Sequence, residues 1–218
     1  DIEKNSLVIY NRGGGDGVFD LFNAVIKGDG RANVSIRGDT SRGIFDLEDV
    51  GSFKVRGNVS GIVLLADNLR TGNVSGYFTG NVEVLNDIGS WNVRGKTSFS
   101  TIDAGRRIKR ATLGDVDTSR FSAEEIGRFI SRGDVYNTNI IASVQSVNGI
   151  YGDADDVGLP GRDRSINYVA IKNYGADDTH GILGVGSFRV KIGRERFVAD
   201  STFRNYGEAV VRSVPLLV

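Results

Sequence analysis

The sequence predicts an all-β fold, a single-stranded parallel β-helix with about 19 residues per coil. The first observation is a repeat: VGSFKVRG at Val50 to Gly57 returns as IGSWNVRG from Ile88, IGRFISRG from Ile126 and VGSFRVKI from Val185. The second is its period. Looser copies begin at Leu69, Ile108 and Ile166, so the starts 50, 69, 88, 108, 126, 166 and 185 lie 19, 19, 20, 18, 40 and 19 residues apart. A period near 19 with one doubled gap describes a stacked solenoid carrying one insertion. The third is composition: 30 glycines against 2 prolines, at 39% hydrophobic content, suit tight corners around a packed core rather than disorder. Spacings that are not strict multiples of six favour the right-handed form over a hexapeptide helix.

The 218 residues read as one domain: an N-terminal cap or first strands over 1–30, regular coils over 31–143, an inserted loop over 144–164, and last coils with an apolar tail over 165–218. Leu7 to Tyr10 forms a short apolar strand beside the turn-forming Gly13, Gly14, Gly15 and Gly17. Val18 to Ile26 fits a helix face and a strand equally well. Within each copy the third position after the start (Phe53, Trp91, Phe129, Val169, Phe188) and the fifth (Val55, Val74, Val93, Leu113, Ile171, Val190) share strand parity, so both point inward. Position six carries Arg56, Arg94 and Arg132, facing out, and Gly57, Gly76, Gly95 and Gly133 follow where the strand must bend. Further apolar clusters, such as Val59 with Ile62 and Leu64, Phe99 with Ile102, and Val135 with Ile140 and Ile141, complete three strands per coil.

Several function classes are removed by composition. Lys and Arg number 27, as do Asp and Glu, so no global field draws nucleic acid or an anionic membrane. Without cysteine there is no disulfide framework, thiolate nucleophile or Cys-ligated zinc. No apolar run reaches the length of a membrane span. A chain that begins at Asp1 and contains no Met reads as a processed or excised product, and export is the expectation.

Candidate chemistry is concentrated in the insertion. Asn148, Asp153, Asp155, Asp156 and Asp163 would offer several oxygen ligands to a hard cation such as Ca²⁺, although not at EF-hand spacing. The alternative is a solvated acidic loop. GGGDGVFDL from Gly13 matches part of a calcium-binding nonapeptide, in one copy only. His180, the single histidine, has no nucleophile motif beside it. The arginine ladder reads as a solvated face paired with Asp115, Asp134 and other surface acids. Three sequons, at Asn33, Asn58 and Asn73, are formal glycan acceptors that corner chemistry also explains. At the ends, Val210, Val211, Val214, Leu216, Leu217 and Val218 in the tail, and Leu7 and Ile9 in the first strand, would either cap the stack or pair head to tail with another copy.

The IGSxxVRG coils, the NGIYGDADDV loop and the closing GILGVGSFRV resemble repeats of very large secreted or surface proteins of bacteria such as planctomycetes, over roughly residues 7–200. That resemblance implies a parallel β-helix and no particular activity. Bactofilins are a looser likeness, as short β-solenoids with ragged ends, from which the large loop departs. The expected function is therefore non-enzymatic: an extracellular subunit of a surface layer or filament, or an adhesin-like module, that self-associates or meets other surface proteins. A polysaccharide-binding or lyase-like β-helix is the alternative, since the fold hosts such enzymes without implying one.

Overall fold

The structure is a computed structural model that describes residues 6–10, 25–145, 157–159, 165–175, 180–200, 204–206 and 209–214. Among these residues there is no helix. Eighteen strands join in one continuous sheet wound on itself, and two more form a small ribbon. The chain is a β-solenoid of about eight coils, as the repeat predicts.

Backbone pairing reproduces the sequence period. Val50 stacks on Leu69, Leu69 on Ile88, Ile88 on Ile108, Ile108 on Ile126 and Ile126 on Ile166. Three faces recur in every coil. The first carries the file Val34, Phe53, Gly72, Trp91, Ala111, Phe129, Val169 and Val190. The second carries Thr40, Val59, Phe78, Thr97, Val116, Val135 and Tyr174. The third carries Phe45, Leu64, Val82, Ile102, Phe121, Ile140, Ile182 and Val211. All three files are buried, because alternate residues of each strand point inward.

Side-chain size along the first file alternates. Phe53, Trp91 and Phe129 are separated by Gly72 and Ala111, and a Cβ on Gly72 would overlap the Trp91 ring. Each large ring has an edge-on aromatic partner: Phe45 to Phe53 at 5.2 Å, Phe78 to Trp91 at 5.0 Å and Phe121 to Phe129 at 5.0 Å. Aromatic pairs thus fill every second coil, and the small residues between leave room for them.

Two kinds of corner close the coils. At Gly57, Gly76, Gly95, Gly114 and Gly133 the requirement is close approach: a Cβ on Gly95 would lie 2.6 Å from the carbonyl oxygen of Gly76. The following residue seals the corner, as when Asn58 N–H donates to Asp39 Oδ1 at 2.7 Å and Asp134 N–H to Asp115 Oδ1 at 2.9 Å. The other corner is left-handed. Arg42, Gly61, Phe99, Thr118 and Asn137 have φ of 51°, 64°, 48°, 46° and 43°, at one structural position. This corrects the expectation for Phe99, which is 72% exposed because the left-handed turn throws its side chain outward, while Ile102 alone enters the core. Buried hydroxyls hold three of these turns: Ser100, Ser119 and Thr138 each donate to the carbonyl two residues back, at 2.8, 2.8 and 2.7 Å. Such bonds offset a left-handed cost of about 1–2 kcal/mol per non-glycine residue.

The C-terminal coils depart from the pattern. Val190 stacks on Val169, a step of 21 rather than the 19 that the VGSFRVKI echo suggests. Gly186, with φ of 68°, turns the chain between Val185 and Phe188, so Phe188 is buried outside the Phe53 file. Ile141 and Leu183 point out of the coil yet are 3% and 0% exposed. A second apolar cluster, Ile141, Val144, Leu183, Val210 and Val214, covers the outside of the third face. The insertion begins it: Val144–Gln145 pairs antiparallel with Val157–Gly158, and Leu159 N–H donates to Ser143 O at 2.7 Å. Antiparallel strands then overlie the last coil, Glu195–Ala199 on Phe188–Ile192 and Arg204–Tyr206 on Ala209–Val214.

Candidate functional site

The candidate calcium ligands Asn148, Asp153, Asp155, Asp156 and Asp163, the GGGDGVFDL stretch, and the tail residues Leu216, Leu217 and Val218 lie outside the described residues. Among the described residues no three acidic, histidine or cysteine side chains converge as a metal cluster. Of the end residues, Val211 enters the main core and Val210 and Val214 the outer cluster, so all three side chains are committed within the chain. Leu7 and Ile9 stand in the strand Ser6–Tyr10, opposite Val34 and Ile36.

The sequon asparagines belong to polar ladders. Asn33 Oδ1 accepts from Ser52 Oγ at 3.1 Å, Asn58 Nδ2 donates to Asp39 Oδ2 at 3.2 Å, and Asn73 Oδ1 accepts from Asn92 Nδ2 at 3.1 Å. His180 lines a shallow hollow with Phe99, Thr118, Asn137 and Asn139 at the left-handed corner. Asp117 is the one described group whose acidity clearly moves. The Lys96 ammonium, 2.8 Å away, hydrogen-bonds its carboxylate and holds it below the usual range; burial opposes this, and Thr118 Oγ1 assists at 3.0 Å.

Charge is separated between faces. In the first-face segments 33–37, 52–56, 71–75, 90–94, 110–114, 128–132, 168–172 and 189–193 no residue is acidic. One edge of that face carries Arg37, Arg56, Arg94, Arg132 and Lys172, and further cations stand at Lys54, Arg110, Arg128, Arg189 and Lys191. The arginine ladder does not pair with Asp115 or Asp134, which corrects the sequence expectation. Asp115 caps the Asp134 N–H instead, and Asp134 takes Lys172 at 3.3 Å. On the third face a groove runs past Asp46, Asp67, Glu83 and Asp103 beside the exposed Leu85. It continues toward the insertion past Arg120 and Leu159. There Lys27 pairs with Asp46 at 3.0 Å and Arg120 with Asp103 at 3.8 Å.

Sequence reasoning missed this separation because net charge was taken over the whole chain. The signal was present in register, since aligning the coils shows one column set with cations and no acids. Likewise the doublets Ile140-Ile141 and Ile182-Leu183 break strand alternation and mark a face buried on both sides. Compared with known proteins, the chain matches no family model, no curated protein and no solved structure.

Proposed function

We propose that the chain is a non-enzymatic structural module, a stiff rod serving a surface layer, filament or adhesin outside the cell. The observation that carries this reading is the continuous ladder: each coil over 25–145 is hydrogen-bonded to its neighbours around a packed, mostly apolar interior. Bending such a stack would break ladders on several faces together, which makes it a good spacer. Antiparallel strands over the last coil make that end a poor template for parallel end-to-end growth and favour contacts through the sides. Ca²⁺ in the loop holding Asp153, Asp155 and Asp156 is part of the proposal, as a brace for the insertion.

Electron microscopy of the purified chain with and without EDTA tests it. Stiff rods about 35–40 Å long per chain are expected, given about 4.8 Å per coil, joined in larger arrays. Flexible or collapsed particles would end the reading, and arrays that dissolve in EDTA would assign the metal to assembly. A second reading, a polysaccharide-binding or polysaccharide-cleaving module, is favoured by the acidic third-face groove. Turnover assays on neutral and acidic polysaccharides, with and without Ca²⁺, should yield no product under the structural reading. Product that vanishes in Glu83→Gln or Asp103→Asn would shift the function to that groove.

A further inference from the structure

We infer that the outer surface of the first face docks an extended acidic polysaccharide, a polymer of uronate or sulfated sugars. The chain is neutral overall, yet this face holds ten cations and no acid across eight stacked segments. Lys54, Arg56, Arg94, Arg110, Arg128, Arg132 and Arg189 are exposed, and none has a carboxylate within ion-pairing distance among the described residues. Like charges held in register repel one another, and a polyanion laid along the rod relieves that repulsion.

The pattern selects among polyanions. Arg56, Arg94 and Arg132 recur every second coil, about 9–10 Å apart at the strand spacing, with uncharged residues between. The best-defined part is a shallow hollow lined by Lys54, Arg56, Asn73, Ser75, Asn92 and Arg94. There cations face a carboxylate or sulfate, while the amides and hydroxyl offer hydrogen bonds to sugar hydroxyls. Nucleic acid fits less well, because its phosphates repeat about every 3.4 Å along a strand, denser than the coils. Single-strand binding also draws on aromatic platforms, and the outward aromatic of this face, Tyr168, is covered by the Arg128 guanidinium at 5.4 Å. A second copy offering its acidic groove fits less well too, since Asp46 and Asp103 already hold Lys27 and Arg120.

Binding of the full chain to polygalacturonate, heparin, neutral dextran and duplex DNA, over a salt series, tests the inference. Polygalacturonate or heparin should bind at low salt and release as salt rises, with dextran silent and DNA weaker. Arg56→Gln/Arg94→Gln/Arg132→Gln should lose about tenfold or more in affinity through fewer released counterions. These side chains are exposed, so a native circular dichroism spectrum is expected. A third-face control, Lys27→Gln/Arg120→Gln, should bind as the parent does. Equal or tighter binding to DNA, binding to dextran, no binding to either acidic polymer, or equal loss in the control would each overturn the inference. It rests on charge placement and not on the rod reading, because microscopy and binding are read separately.

Discussion

The regular coils over 25–140 and the described residues of the C-terminal part, between 141 and 214, solve one problem in different ways. In the first region every residue that must be buried points inward, and neighbouring coils accommodate each other by size, as Gly72 does for Trp91. In the second, apolar residues point both ways. Ile141 and Leu183 are buried from outside by Val144, Val210 and Val214. A stack can therefore be sustained by repetition, but it is finished by chain that folds back over it. The regular region should unfold as a cooperative array and the C-terminal region as a distinct, covered end.

The largest expected break is Trp91→Ala. It removes the largest fully buried side chain among the described residues and should cost about 3–5 kcal/mol, read from the denaturant midpoint of the whole array. Leu183→Ala should cost about 2–3 kcal/mol. Its effect should appear first as faster amide exchange in the C-terminal strands; loss spread evenly over all coils would erase the distinction between the regions. Gly72→Ala should cost about 1–3 kcal/mol through overpacking. Combining it with Trp91→Leu should give less than the sum of the single costs, and strict additivity would show that the two sites do not share space. Ser119→Ala should cost about 1 kcal/mol by removing the hydroxyl that bonds Asp117 O, measured by thermal melting.

The smallest effect is electrostatic. Because the Lys96 hydrogen bond lowers the Asp117 pKa in the folded chain, the pair stabilises above the ordinary carboxylate value of 3.8. That stabilisation disappears as pH falls through the lower folded value. Lys96→Met should flatten this part of the acid-unfolding curve by no more than about 1 kcal/mol, since the pair is partly exposed. An unchanged acid limb would remove the pair from the account.

The comparison also explains what could be read beforehand. The starts at Val50, Leu69, Ile88, Ile108, Ile126 and Ile166 were legible because an inward file demands apolar residues at fixed spacing, and the glycine corner marks where each strand ends. The left-handed corner was not, since Arg42, Phe99, Thr118 and Asn137 share a backbone conformation and no side-chain character. The last coil misled because VGSFRVKI keeps the residues of the motif while Gly186 shifts their pairing by two. For the site, the cationic column became visible once register was known; the acidic loop falls outside the described residues.

The alternation along the first file sets a rule for how such a chain can change length. Removing one 19-residue coil at Gly72 would bring Phe53 directly against Trp91, two large rings on adjacent coils with no small residue between. Removing two coils would instead set Phe53 against Ala111, followed by Phe129, and preserve the order of large and small. Between Phe53 and Phe129 the packing unit is therefore the coil pair, and losses or duplications there that keep the interior filled should come in steps of two.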